Sequence, residues 1–198
     1  MSRIDNSKYY NEVVQRHGVT ARGVHWNSQE TQYKRFEILL EMIDLSGEES
    51  VVDVGCGFAD LYLYMQKKST MPRSYVGLEI METMVDEARK RVDCEIRVCD
   101  ALFDPLPQAD YYICSGAMNI LTRDETRLFI RRCFEASRRG FVFNILKGED
   151  ESLLYNYFQP EEIAAIAIEL GAGFQMREGY LPRDFTVLLT KPPSTERR

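Results

Sequence analysis

From Ser50 onward the chain alternates short apolar runs with longer stretches in which apolar residues recur every three or four positions. The first pattern suits strands buried in a sheet and the second suits amphipathic helices, so their succession predicts βαβ units and a largely parallel sheet. Strands are expected at Ser50-Val54, Ser74-Glu79, Cys94-Cys99, Tyr111-Ser115 and Gly140-Leu146, with helices between them at about 59–68, 82–92 and 123–137. Gln159-Pro160-Glu161-Glu162 opens a further helix through Leu170, which Gly171 and Gly173 stop. Two last strands, near Phe174-Glu178 and Phe185-Thr190, close the sheet as a hairpin. Ahead of the first strand, Tyr33, Phe36, Leu39, Leu40 and Ile43 mark a helix from about Asn27 to Ile43, with Asn27 and Glu30 in a capping-box arrangement.

The expected fold is therefore α/β: a doubly wound, mostly parallel seven-stranded sheet with helices on both faces and a C-terminal antiparallel hairpin. Ligands of such a sheet sit at the carboxyl ends of its strands, so the loops that follow each strand are where chemistry is to be sought. Residues 1–46 read as an N-terminal helical extension, 47–191 as the sheet domain, and 192–198 as a frayed tail rich in polar residues.

Bulk properties narrow the function. The chain has 198 residues, enough for one domain with its own core. Its net charge of -6 weighs against a dedicated nucleic-acid binder, which usually carries a basic excess. Cys56, Cys94, Cys99, Cys114 and Cys133 are odd in number and never form a CxxC pair, and only His17 and His25 are present. Neither a disulfide framework nor a metal site is suggested, and a reducing cytoplasm fits. No apolar run approaches the length that spans a bilayer, and the polar N-terminus does not look like a signal peptide, so a membrane location is not expected.

The first strand runs into Asp53-Val-Gly55-Cys-Gly57-Phe-Ala-Asp60 and then directly into a helix. Two glycines allow a sharp turn and a close backbone approach to a ligand. A dinucleotide loop would want a third glycine where Asp60 stands, and an acid there would repel a pyrophosphate. The second strand ends in Glu79, which can accept hydrogen bonds from both hydroxyls of a ribose, and the third ends in Asp100-Ala101. Singly, each acid reads equally well as a helix cap or a structural turn residue. Their order along one βαβαβ run is what carries meaning.

That order resembles the DxGxG loop and following acids of the class I S-adenosylmethionine-dependent methyltransferases, over roughly residues 50–146. The resemblance implies S-adenosylmethionine as cofactor, with Asp53, Gly55, Cys56 and Gly57 around its cationic amino-acid portion and Glu79 on the ribose. It implies Ile80 and Met81 over the adenine, Asp100 and the Ala101 amide at its amino group, and Ser115, ending strand four, on the cofactor side as well. Arg22-Gly23-Val24-His25-Trp26-Asn27 resembles the element that lids the pocket in small-molecule members. Trp26 then either stacks on the cofactor or packs in the core, and Arg35 either pairs with the cofactor carboxylate or faces solvent. His25 is either an acceptor-side base or an ordinary polar contact.

On the acceptor side the reading is thinner. The strand-four loop Cys114-Ser115-Gly116-Ala117-Met118-Asn119 lacks the [DNS]PP[YFW] tetrapeptide of the amino-group enzymes that act on adenine or glutamine, and it has no Pro-Cys nucleophile pair. Asn119 either binds an acceptor or fixes its loop. Tyr155, Tyr157 and Phe158, with Tyr9 and Tyr10, either wall an apolar acceptor pocket or cover the sheet edge. Arg123, Arg127, Arg131, Arg132, Arg138 and Arg139 spread around one helix and its end with acids among them, which favours a solvated face over an RNA groove. The expectation is a methyltransferase acting at oxygen or nitrogen of a small molecule. Its rivals are a non-catalytic S-adenosylmethionine-binding accessory protein, an RNA or protein methyltransferase and, more distantly, a nicotinamide oxidoreductase. The acceptor, the atom methylated and the oligomeric state stay open.

Overall fold

The computed structural model describes residues 28–149 and 155–192. The chain enters on helix α1 (Gln29–Glu41) and continues through β1 (Ser50–Val54), α2 (Asp60–Lys68), β2 (Ser74–Glu79), α3 (Glu82–Arg91) and β3 (Glu95–Val98). It returns through β4 (Ala109–Ser115), a 3-10 turn at Ala117–Ile120, α4 (Arg123–Ala136) and β5 (Ser137–Lys147). A short β6 (Tyr157–Phe158), α5 (Pro160–Glu169), β7 (Gly173–Glu178) and β8 (Asp184–Thr190) complete it.

The strands form one sheet in the order β3-β2-β1-β4-β5-β8-β7, with β6 paired to β5. β1 to β5 are parallel, β8 runs antiparallel to both β5 and β7, and β6 lies parallel to the end of β5. The doubly wound sheet and terminal hairpin are as the periodicity predicts. The sheet has eight strands instead of seven, because two residues of the aromatic loop, Tyr157 and Phe158, align with Leu146 and Lys147. The chain leaves β1 for β2 and β3 and then comes back to β4 on the other side, so the order reverses between β1 and β4. Open α/β sheets bind ligands outside the carboxyl ends at such a point.

All five residues of β1 are buried, as a strand covered on both faces requires. Phe36 and Leu39 of α1, Leu61 and Met65 of α2 and Val85 of α3 pack with Val51 and Ile113 on one face. On the other, Ile130 and Phe134 of α4 and Ile163 and Ile166 of α5 pack with Val52, Val54, Phe141 and Phe143. At about 25 cal/mol per Å² of apolar surface removed from water, these two layers supply most of the drive to fold.

Two boundaries differ from expectation for identifiable reasons. Helix α1 is capped by Ser28, whose side chain accepts from the Thr31 amide at 3.2 Å, so the cap is one residue later than the Asn27 box; Asn27 lies outside the described residues. Strand β5 begins at Ser137, directly where α4 ends, three residues before Gly140. Arg138 and Arg139 hid it, since at the strand's edge their guanidinium groups reach Asp110 (3.0 Å) and Glu49 (2.8 Å).

Candidate cofactor and acceptor site

Beyond β1 the backbone turns through three left-handed residues, Gly55 (φ +75), Gly57 (φ +54) and Ala59 (φ +60). The amides of Gly55 and Cys56 both donate to the Leu78 carbonyl, at 2.8 and 3.1 Å, which ties the loop to β2. A Cβ on Gly55 would lie 2.3 Å from the Ala117 methyl, so the glycine is what lets the β1 and β4 loops touch. Ala59, wholly buried, holds a conformation that glycine usually takes, and nothing in its residue type announces this.

Two acids of the expected site lie buried around this loop. Asp53 is 2% exposed, accepts from the Tyr75 hydroxyl at 2.5 Å, and is pushed up to about 7 by burial, with Glu79 and Asp60 adding to the rise and Tyr75 opposing it. Glu79 accepts from the Gly57 and Met81 amides, both at 3.0 Å, and burial raises it also. The Ile80 amide bonds the same carboxylate, which leaves it room for a further donor. Asp60 is turned aside: it takes Arg91 at 2.8 Å and Gln32 at 3.1 Å, joining α2 to α3 and α1. Its side chain is therefore engaged by helices, and the buried Asp53 and Glu79 dominate the electrostatics of the loop. Cys56 is buried there too, and burial holds its thiol protonated.

Past the ends of β2 and β3 stand apolar groups open to solvent: Ile80 is 47% exposed, Val98 50% and Phe103 68%. Large apolar side chains exposed near strand ends suit a flat ligand. Val98 and Phe103 were not singled out from sequence, although an apolar residue at a strand end and one just past an acidic turn were both visible there. Met81 packs with Phe58 and Met84, and Ala101 is buried in the larger core. Asp100 accepts from the Leu102 amide at 2.9 Å, and its own amide donates to Asp104.

On the other side of the loop the ends of β4, β5 and β8 carry a polar cluster. Ser115 donates to Asn144 Oδ1 (2.9 Å), Asn144 Nδ2 to Thr186 Oγ1 (2.7 Å), and Tyr180 to Asp184 Oδ1 (3.0 Å). Arg35 of α1 closes the cluster by pairing through Nε with Asp184 Oδ2, and its side chain is largely buried instead of facing solvent. Burial pushes Asp184 up to about 6 against the pull of Arg35 and Tyr180. Asn144, Thr186, Tyr180 and Asp184 were missed from sequence; they are polar residues inside strands or a turn, and only the fold brings them together.

Asn119, in the 3-10 turn after β4, has a buried side-chain oxygen with no hydrogen-bond partner among the described residues. Its backbone carbonyl takes the Asn156 amide at 2.7 Å, which holds the aromatic loop against it. Tyr155 and Tyr157 are half-buried in that loop, whereas Phe158 is wholly buried in the core and is a packing residue, not a wall of the site. Arg123 staples the loop to α4, donating to the Tyr157 carbonyl at 2.7 Å, pairing with Glu162 and lying 4.3 Å over the Phe158 ring. Arg132 donates to the Ala101 carbonyl, and Arg138 and Arg139 make the edge pairs described above. His25, Trp26, Tyr9 and Tyr10 lie outside the described residues. Among the described residues no helix is long and apolar enough to cross a membrane.

A family model described as a methyltransferase domain matches residues 51–140, the stretch from β1 into β5. No curated protein sequence matches the chain. Its fold is that of magnesium protoporphyrin IX methyltransferase from Synechocystis PCC 6803, solved with S-adenosylmethionine bound (TM-score 0.66, 16% identity, 97% of this chain and 86% of that one). It is likewise similar to human N-acetylserotonin methyltransferase in complex with the same cofactor (TM-score 0.64, 17% identity, 79% of this chain and 51% of that one). A putative methyltransferase of Haloferax volcanii, solved with the activator Trm112, superposes with a TM-score of 0.70 at 12% identity, over 83% of this chain and 91% of that one. The matched domain, the reversal between β1 and β4, and the glycine loop with its ordered acids give this chain a methyltransferase domain with the Rossmann-like fold of these neighbours.

Proposed function

We propose that the protein transfers a methyl group from S-adenosylmethionine to an oxygen or nitrogen of a small molecule. The residues around the loop fit that cofactor: a turn that admits no side chain at Gly55, buried acids on the side where an ammonium and a sulfonium would lie, and an open apolar ledge for a purine. In this reading Asp53, Gly55, Cys56, Gly57 and Ser115 serve the amino-acid half. Glu79 takes the ribose, Ile80 and Met81 flank the adenine, and Asp100 and Ala101 meet its edge. When bound, the cofactor supplies a methyl carbon activated by a positive sulfur.

Such a transfer is an in-line displacement that depends on alignment and dryness more than on a strong base. The observation that carries the acceptor assignment is Asn119. A buried carbonyl oxygen without a partner costs roughly 1–3 kcal/mol, which an N–H or O–H of a bound acceptor would recover. Tyr155 and Tyr157 beside it would hold the apolar body of that molecule. The Synechocystis and human neighbours are named for small acceptors, which supports the class and not the identity. Four of the six arginines once in question bind carbonyls or carboxylates of the protein itself, which supports a small molecule over RNA. Helix α1 lends Gln32 and Arg35 to the site's margin, in keeping with residues 1–46 acting as a lid on the 47–191 domain. Five free cysteines suit a reducing compartment, and we place the enzyme in the cytoplasm.

The test is incubation with methyl-labelled cofactor and, separately, metabolite, RNA and protein fractions of one cell extract. Label is expected in low-mass products, and Asn119→Leu should abolish it while S-adenosylhomocysteine still binds. Label confined to RNA or protein would overturn the acceptor class. Tight cofactor binding with no labelled product in any fraction would instead favour an accessory binding protein.

A further inference from the structure

The polar cluster at the ends of β4, β5 and β8 is a chain with a direction. At its far end Asp184 is an acceptor only, holding Arg35 on one oxygen and the Tyr180 hydroxyl on the other at 3.0 Å. The proton of Tyr180 being committed there, the 2.7 Å contact between Tyr180 and Thr186 must be donated by Thr186. Thr186 then accepts from Asn144 Nδ2 at 2.7 Å, which turns the amide so that its oxygen faces Ser115 and takes the serine proton at 2.9 Å. The carboxylate thus selects one of the two amide orientations, and every hydroxyl proton in the chain points away from β1.

The near end is Ser115, half-buried, with its single proton spent on Asn144. It directly precedes Gly116 and Ala117, and the Ala117 methyl fills the space a side chain on Gly55 would need. A hydroxyl oxygen therefore stands beside the glycine loop with its lone pairs available and no described donor on them. What matches it is an N–H group, and the amino-acid half of the cofactor carries an ammonium.

We propose that Asn144 is a positioning residue: by taking the Ser115 proton it makes that hydroxyl an obligate acceptor for the α-ammonium of S-adenosylmethionine, with the Arg35–Asp184 pair setting the polarity from α1. The inference rests on the cofactor assignment above. It extends the site to β5 and β8, neither of which has a residue in the expected cofactor set.

The test compares S-adenosylhomocysteine with methylthioadenosine, which keeps the nucleoside and the sulfur but lacks the amino-acid half, by titration calorimetry on the full chain. Ser115→Ala and Asn144→Leu should each weaken S-adenosylhomocysteine about tenfold or more, the range of a hydrogen bond to a charged group, and leave methylthioadenosine within about twofold. Asp184→Asn, which frees the amide to turn, should give a smaller loss of the same selectivity. Loss of folded protein lowers both ligands alike, so the ratio of affinities is the readout. Ser115→Ala and Asp184→Asn carry the test if Asn144→Leu does not fold. Equal weakening of both ligands, or no weakening of S-adenosylhomocysteine, would overturn the proposal. Failure of the wild type to bind either compound would overturn the cofactor assignment itself.

Discussion

Asp53 sits in a β1 that is otherwise apolar but for Ser50, under the loop proposed to meet the cationic half of the cofactor. Its carboxyl holds a proton up to about pH 7 because burial outweighs the Tyr75 hydrogen bond. A bound ammonium or sulfonium favours the carboxylate, so below pH 7 binding must expel that proton. Affinity for S-adenosylmethionine should rise with pH between about 5.5 and 7.5, by at most about tenfold per unit, and level off above. Calorimetry in buffers of different ionisation enthalpy would register the released proton, and Asp53→Asn should remove both the slope and the release. Ala59 offers a second test at this scale. A left-handed alanine costs about 1 kcal/mol, and its buried methyl returns about 0.8 kcal/mol, so Ala59→Gly should move stability by less than about 1 kcal/mol. Ala59→Val, β-branched at φ +60, should cost several times more on denaturant unfolding. The acids and the two glycines were legible because spacing along a βαβ run is a sequence property. The strain at Ala59 was not, because it belongs to the turn and not to the residue.

The loops after β1 and β4 meet at one contact, Gly55 against Ala117. Gly55→Ala should abolish cofactor binding by forcing these elements apart, and Ala117→Gly in the same chain should restore only part of it, since the φ of +75 remains unfavourable for alanine. On the acceptor side, Arg123 ties α4 to β6 and α5 through a carbonyl, a carboxylate and a ring. Arg123→Ala should speed amide exchange at Asn156 and Tyr157 while leaving S-adenosylhomocysteine affinity within about twofold, as the loop opens without touching the glycine turn. Element type was readable almost everywhere, because period decides it. Strand ends failed where the strand opens on exposed charged residues, at Arg138 and Arg139, and the polar cluster failed because its bonds link residues 29 and 42 positions apart.

For the whole molecule, Asp53 and Asp184 act in one direction and Asp110 in the other. The first two are raised in the fold, so they favour it at low pH and that stability is lost as pH climbs, through about 6 for Asp184 and about 7 for Asp53. Asp110 is held low by Arg138 and Ser50 despite the cost of burial, so its contribution is present above about pH 4 and lost on acidification. The thermal unfolding midpoint of the unliganded protein should therefore fall as pH rises from about 5 to 7 and level off above, and Asp53→Asn should recover about 1–3 kcal/mol at pH 8. Added S-adenosylmethionine should raise the midpoint more at pH 8 than at pH 6. The buried carboxylates also bear on turnover. Substrate cofactor carries a positive sulfur and spent cofactor does not, so an ionised Asp53 gives a preference for the first that a protonated one cannot. Product inhibition by S-adenosylhomocysteine should ease as the medium becomes more alkaline, leaving the enzyme most readily stalled by its own product in mild acid.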